Sequence, residues 1–211
     1  MTQSTDVRPC GVELYFLPVE TRVPLKFGPE TLTYVTCARV RLEVRDGGGR
    51  VASGWGETPL SVQWAWPSQV SYSERHEALQ QFCLMLAKAW AEFDVCGHPV
   101  EVGHAFLERV LPDLLQELNE QRAAGDTQSH CEPMPWLAAL ICCSAFDIAL
   151  HDAYGVLHGK PIYELYGAPY MSRDLAHYVV PAEGAAVSFE GTYPSDFFTA
   201  AQDRLPAWHL V

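Results

Sequence analysis

Ala138-Ala139-Leu140-Ile141-Cys142-Cys143-Ser144-Ala145-Phe146-Asp147-Ile148-Ala149-Leu150-His151-Asp152-Ala153-Tyr154-Gly155, closed by Gly159-Lys160-Pro161-Ile162-Tyr163-Glu164-Leu165-Tyr166-Gly167, is the stretch whose reading decides the fold. Trp136, Ala139, Leu140, Cys143, Phe146, Leu150 and Tyr154 recur at helical spacing on one broad face, so a long buried helix is expected over Pro135 to Leu157. Gly155 and Gly159 stop it, Pro161 follows as a terminator, and a short second helical turn comes after.

Toward the N-terminus, Ala123 to Pro133 reads as a polar loop. Val100 to Arg109 and Asp113 to Gln121 read as two helical pieces, with Pro112 suited to the first turn of the second. Gly97-His98-Pro99 is a break. Before it, Leu79, Phe82, Leu86, Ala89, Trp90 and Phe93 mark another helix, opened by the capping box Ser71-Tyr72-Ser73-Glu74.

The first third has a different period. Val12 to Val19 reads as a strand, and Pro18 and Pro24 bracket a loop from Glu20 to Pro29 that holds Thr21, Arg22 and Lys26. Tyr34, Thr36, Ala38, Val40, Leu42 and Val44 then alternate with Arg39, Arg41, Glu43 and Arg45, the pattern of a half-buried antiparallel strand. Asp46-Gly47-Gly48-Gly49 is a hairpin turn, and Arg50 to Glu57 returns as a third strand. Strands first and helices second give an α+β class: a three-stranded antiparallel meander followed by a helical bundle that covers one sheet face. After Gly167, Tyr170 to Asp174 reads as a linker, Leu175 to Pro181 as a single strand, Asp196 to Arg204 as a weak helix, and Trp208 to Val211 as the start of another strand.

The formal net charge of −12 repels phosphate backbones and anionic surfaces, so neither nucleic acid nor membrane is an expected partner. Seven cysteines, an odd number with no Cys-x-x-Cys pair, suggest neither a disulfide framework nor a zinc ribbon. Cys83, Cys142 and Cys143 fall inside helical patterns, and a reducing, cytoplasmic setting is expected. Met1 to Gly11 has no signal-peptide pattern, and no run reads as a membrane span.

The order of meander, bundle, Asp147-Ile148-Ala149-Leu150-x-Asp152 helix and Gly159-Lys160-Pro161-x-Tyr163-x-Leu165-x-Gly167 resembles the N-terminal capping domain of the enolase superfamily, in its mandelate racemase and muconate lactonizing enzyme branch. Gly54-Trp55-Gly56-Glu57 is similar to that family's third strand and the loop after it. The resemblance implies an enolase-like capping domain over residues 1–168. It also implies a linker and the first strand and helix of an incomplete β/α barrel over 169–211. In the family the barrel abstracts a proton α to a carboxylate, with a lysine or histidine base and a Mg²⁺ held by barrel-strand carboxylates. An eight-stranded barrel belongs to a protein of about 250 residues, whereas 44 residues follow Gly167 here. The expectation is therefore the N-terminal portion of such an enzyme, inactive as this chain, with no catalytic residue and no metal ligands of its own. The family's Lys-x-Lys pair would fall near Ala207-Trp208-His209-Leu210-Val211, where there is no lysine: either the motif is not reached or the position is substituted, with His209 a candidate base. The alternative is a non-catalytic capping or oligomerisation module that binds itself or another protein through an apolar face to which Trp64, Trp66 and Trp208 contribute.

The same resemblance places two substrate-choosing loops at Thr21 to Gly28 and Gly56 to Leu60. Arg22 and Lys26 offer cationic donors to a small carboxylate substrate, and Glu57 offers an acceptor to a hydroxyl. Asp147 and Asp152, five residues apart on a helix, point in different directions and read as structural; His151 reads as facing solvent or an interface. Ser129-His130-Cys131-Glu132 is not read as a nucleophile set, and His98 and His104 lack further ligands at zinc spacing. No phosphate-binding glycine motif occurs.

Overall fold

The computed structural model describes residues 3–27, 30–125, 132–200, 202–204, 206 and 207. Three strands, β1 (Val7–Phe27), β2 (Glu30–Asp46) and β3 (Val51–Pro59), form one antiparallel sheet in the order β1-β2-β3. Five helices follow: α1 (Val62–Ala65), α2 (Tyr72–Glu92), α3 (Pro99–Arg109), α4 (Leu111–Gly125) and α5 (Trp136–His158).

The alternation in β2 puts Ala38, Val40, Leu42 and Val44 into the core and Arg39, Arg41, Glu43 and Arg45 on the outer face. The β2–β3 turn is held by Asp46, whose carboxylate accepts from the Arg50 backbone at 2.8 Å and from its guanidinium at 2.7 Å, while Gly49 takes φ 84°. α2 begins at the Ser71–Glu74 capping box and buries Leu79, Phe82, Cys83, Leu86 and Trp90. α3 begins at His98, with Pro99 at a position where no N–H is needed. α5 ends where Gly159 turns left-handed (φ 62°). The Gly159 N–H then reaches the Val156 carbonyl at 3.2 Å, and the Lys160 N–H reaches that of Gly155 at 3.1 Å.

α5 lies directly on β3. Gly54 and Gly56 point at it, and Ala145, Ala149 and Ala153 form a row of small side chains four residues apart. A Cβ on Gly54 would sit 2.0 Å from the Ala153 nitrogen, and one on Gly56 would sit 2.0 Å from the Ala145 oxygen. The Trp55 N–H, on the free edge of β3, donates to Asp152 Oδ2 at 2.8 Å. Helix and strand backbones therefore meet with almost no side chain between them.

Several expectations are corrected. The expected loop from Glu20 to Pro29 is instead the far end of a two-stranded ribbon, in which β1 continues to Phe27 and Leu25, Lys26 and Phe27 pair with Leu32, Thr31 and Glu30. Pro24, which has no N–H to donate, falls inside the register slip between Glu20 and Leu25, where the ladder is already interrupted. No barrel strand forms among the described residues after Pro59. Leu175–His177 is a 3₁₀ turn, its first N–H bound to the Thr192 carbonyl at 2.8 Å, because an extended segment needs a neighbouring strand and this one has none. The expected Asp196–Arg204 helix shrinks to a 3₁₀ turn, Pro194–Phe197, and Trp208 to Val211 lies outside the described residues. Trp66 is buried and belongs to no exposed face, while Trp64 is exposed. Trp136, expected on the buried face of α5, is 44% exposed in its first turn. By length and apolarity α5 could cross a membrane (mean hydropathy 1.4), contrary to the sequence reading; here it is the core helix, packed against β3, β2 and α2. Its Cys142 thiol donates to the Leu79 carbonyl at 3.7 Å, and burial pushes the Cys143 thiol up to about 12.

The β3–α5 contact yields a direct prediction. Gly56→Ala forces the two backbones apart and should cost about 3 kcal/mol or more, a Tm loss of roughly 10 °C for a chain of this size. Gly125→Ala, where an added Cβ meets nothing within 4 Å, should stay within about 0.5 kcal/mol. Thermal and urea unfolding of both variants checks this.

Candidate functional site

Arg22 and Lys26 lie on the outer part of the β1–β2 ribbon, exposed, and no hydrogen bond or ion pair engages either side chain among the described residues. Strand pairing places Lys26 across from Thr31. Glu57 is elsewhere. It sits on β3 across from Arg39, eight residues along β2 from Thr31, roughly 25 Å at the rise of a strand. The three residues drawn from the sequence are therefore not brought into one site: two cations share the ribbon, and Glu57 belongs to a second locus.

That second locus is an open cleft of about 370 Å³ between the edge of β3 and α5, lined by Arg39, Trp55, Gly56, Glu57 and Ile148. Arg39 Nε donates to Glu57 Oε2 at 2.6 Å, with both side chains partly exposed. Trp55 stacks on Tyr15 across the sheet, ring centroids 6.2 Å apart. Beside it, Arg41 is taken up by Glu13 at 2.7 Å, Glu43 at 2.9 Å and Ser53 at 2.7 Å. Burial, with the Glu57 carboxylate adding, raises the Cys37 thiol behind the pair. Sequence reasoning missed Arg39, Trp55 and Ile148 as site residues. Arg39 had a signal: extending the hairpin pairing back from the Asp46–Gly49 turn puts it opposite Glu57. Ile148 had none, because only tertiary packing brings α5 there.

A polar and aromatic junction fills the space between α3, α5 and the segment after α5. The Tyr166 hydroxyl bonds His151 Nδ1 at 2.7 Å, and His151 Nε2 lies 3.8 Å from Asp147. Of the two placements expected for His151, solvent or an interface, solvent does not hold: α5 turns it inward, beneath Tyr166. Its imidazole is lowered by burial, opposed by Asp147; the Asp147 carboxyl is raised by burial, opposed by His151. His98 is fully buried, and its Nδ1 accepts the Val100 N–H at 3.2 Å to cap α3. Burial, aided by His151 and opposed by the Leu165 carbonyl, holds its imidazole down at about 3. Asp152 serves β3 and shares no site with Asp147. His104 sits 3.6 Å from Glu108. Among the described residues no group of three or more His, Cys, Asp or Glu side chains could hold a metal ion, so they do not fit Mg²⁺. Ser129, His130, Cys131 and His209 lie outside the described residues.

No protein-family model and no curated protein matches the chain. Solved structures do. The chain is similar to several of them over most of its own length. One is an enolase from Bradyrhizobium complexed with magnesium and mandelic acid (16% identity, 82% of this chain and 37% of that one, TM-score 0.39). A second is L-talarate/galactarate dehydratase from Salmonella typhimurium LT2 (18% identity, 81% and 35%, TM-score 0.40). A third is a mandelate racemase/muconate lactonizing enzyme-like protein from Rubrobacter xylanophilus (21% identity, 75% and 33%, TM-score 0.37). The chain spans about a third of the length of these structures.

The junction makes stability pH-dependent. Folding holds His98 neutral, so stability is complete above its ordinary value of 6.5 and is lost progressively as pH falls from there toward 3. His76 and His151, also lowered by burial, act in the same direction. Asp6 and Asp147, raised by burial, act oppositely at the acid end, so the histidine slope is cleanest in the upper part of the window. His98→Asn keeps a capping acceptor without the titration and should flatten the slope of unfolding free energy between pH 6.5 and 5, measured by urea titration at each pH.

Proposed function

We propose that this chain is the capping portion of a mandelate racemase/muconate lactonizing enzyme-like protein, a Mg²⁺-dependent enzyme that abstracts a proton α to a carboxylate. The observation that carries this reading is the ribbon: a three-stranded meander, locked to its helices at β3, extends β1 and β2 outward and presents Arg22 and Lys26 with no partner among the described residues. Two cations on the outer part of a two-stranded arm, unpaired among the described residues, suit recognition of a small carboxylate. On this reading Arg22 and Lys26 select the substrate, and Mg²⁺ and the base come from outside the described residues. The 211-residue chain by itself turns over no acid. Glu57 takes no part at the ribbon, since it pairs with Arg39, eight residues along β2 from Thr31.

The reading is tested in two steps. Incubating the 211-residue chain with Mg²⁺ and a panel of sugar acids and muconate-type acids should give no product; metal-dependent dehydration or racemisation would show that the chemistry resides in this chain. In a protein that joins this chain to a barrel, Arg22→Gln with Lys26→Gln should raise KM about tenfold or more with a smaller change in kcat, the signature of lost substrate binding. A doubly substituted enzyme with unchanged KM excludes the ribbon from recognition.

A second reading, a self-associating module, has one observation in its favour. Tyr163, Phe197 and Phe198 are exposed together where the Ile162–Leu165 and Pro194–Phe197 turns meet, and Tyr163 and Phe198 rings lie 5.9 Å apart. Light scattering after size exclusion decides it: a concentration-independent monomer of 23.5 kDa removes this reading.

A further inference from the structure

We propose that the cleft between the edge of β3 and α5 is a binding site for an apolar α-amino acid in its zwitterionic form. This inference rests on the cleft alone; Arg22 and Lys26 have no part in it, and its failure would leave the capping reading untouched.

The cleft has the composition of a small-molecule site. Its volume of about 370 Å³ lies at the lower end of the range for ligand clefts, roughly 300–1,000 Å³, which suits a ligand of few atoms. Trp55 and Ile148, each 48% exposed, supply apolar walls on the strand and on the helix. Gly56 lines the cleft between them through its backbone, because α5 fills the space its side chain would take. Asp152 holds the Trp55 backbone N–H and the Trp55 ring stacks on Tyr15, so the wall exists before any ligand arrives.

The polar end decides the ligand's charge. The Arg39–Glu57 pair uses Nε on one side and Oε2 on the other. The terminal guanidinium nitrogens remain for a carboxylate, and the Glu57 carboxylate is available to an ammonium donor. Neighbouring Arg41 does not compete, being saturated by Glu13, Glu43 and Ser53. The chain as a whole carries a net charge of −12. A lone anion is therefore opposed at long range, and a lone amine leaves Arg39 unmatched. A zwitterion is neutral overall and matches both halves of the pair, with its carboxylate toward the terminal nitrogens of Arg39 and its ammonium toward the Glu57 carboxylate.

Isothermal titration of the 211-residue chain with L-leucine, isocaproate (no ammonium) and isopentylamine (no carboxylate) tests this. Leucine should bind saturably and each half-analogue about tenfold or more weakly. Arg39→Gln should erase leucine's advantage over isopentylamine, and Glu57→Gln its advantage over isocaproate. Ile148→Asp, on the exposed surface of α5, should abolish binding with circular dichroism and Tm unchanged. Absence of saturable leucine binding, equal binding of the three ligands, or wild-type affinity in Ile148→Asp would each overturn the proposal.

Discussion

Contact between two backbones organises this molecule. Gly54 and Gly56 on β3 meet Ala145, Ala149 and Ala153 on α5 so closely that an added methyl has no room. Because side chains alternate along a strand, committing the glycines to the helix commits Trp55 and Glu57 to the other face. The Asp152 carboxylate then takes the Trp55 N–H at the strand's free edge, which both anchors the helix and removes a donor that would otherwise invite edge pairing. The cleft beside Ile148 follows from these two facts.

A second constraint acts at the other side of α5. The helix brings His151 and Tyr154 under α3 and the following segment, where His98 begins α3 from a fully buried position. A histidine there serves as a cap only while neutral, since its Nδ1 must accept a hydrogen bond. Burial secures that state by keeping the proton off, at the expense of stability in acid. Tyr166, whose hydroxyl is raised to about 12 by burial, remains a neutral donor or acceptor for His151 throughout. The junction is packing chemistry, whereas the charges on the ribbon and in the cleft stay exposed or partly exposed.

The amino-acid sequence alone determined the class and most elements. Alternation in β2, the Ser71–Glu74 box, the Gly159 stop and the small apolar surface of α5 are local signals, each enforced by steric limits or hydrogen bonds within a few residues. Local signals also misled: Pro24 reads as a loop residue until a partner strand supplies a register slip that tolerates it, and Leu175 to Pro181 reads as a strand although no strand lies beside it to accept its hydrogen bonds. Arg22, Lys26 and Glu57 were recognisable one by one as charged residues of the two loops that the family resemblance places at Thr21 to Gly28 and Gly56 to Leu60. Tertiary structure decided that the first two share an arm and the third faces Arg39, that His151 turns inward, and that Ile148 closes a cleft with Trp55. The reason is physical: a helix and a strand separated by some ninety residues can approach to backbone contact only once both are formed, and no periodicity within either one records where the other will lie.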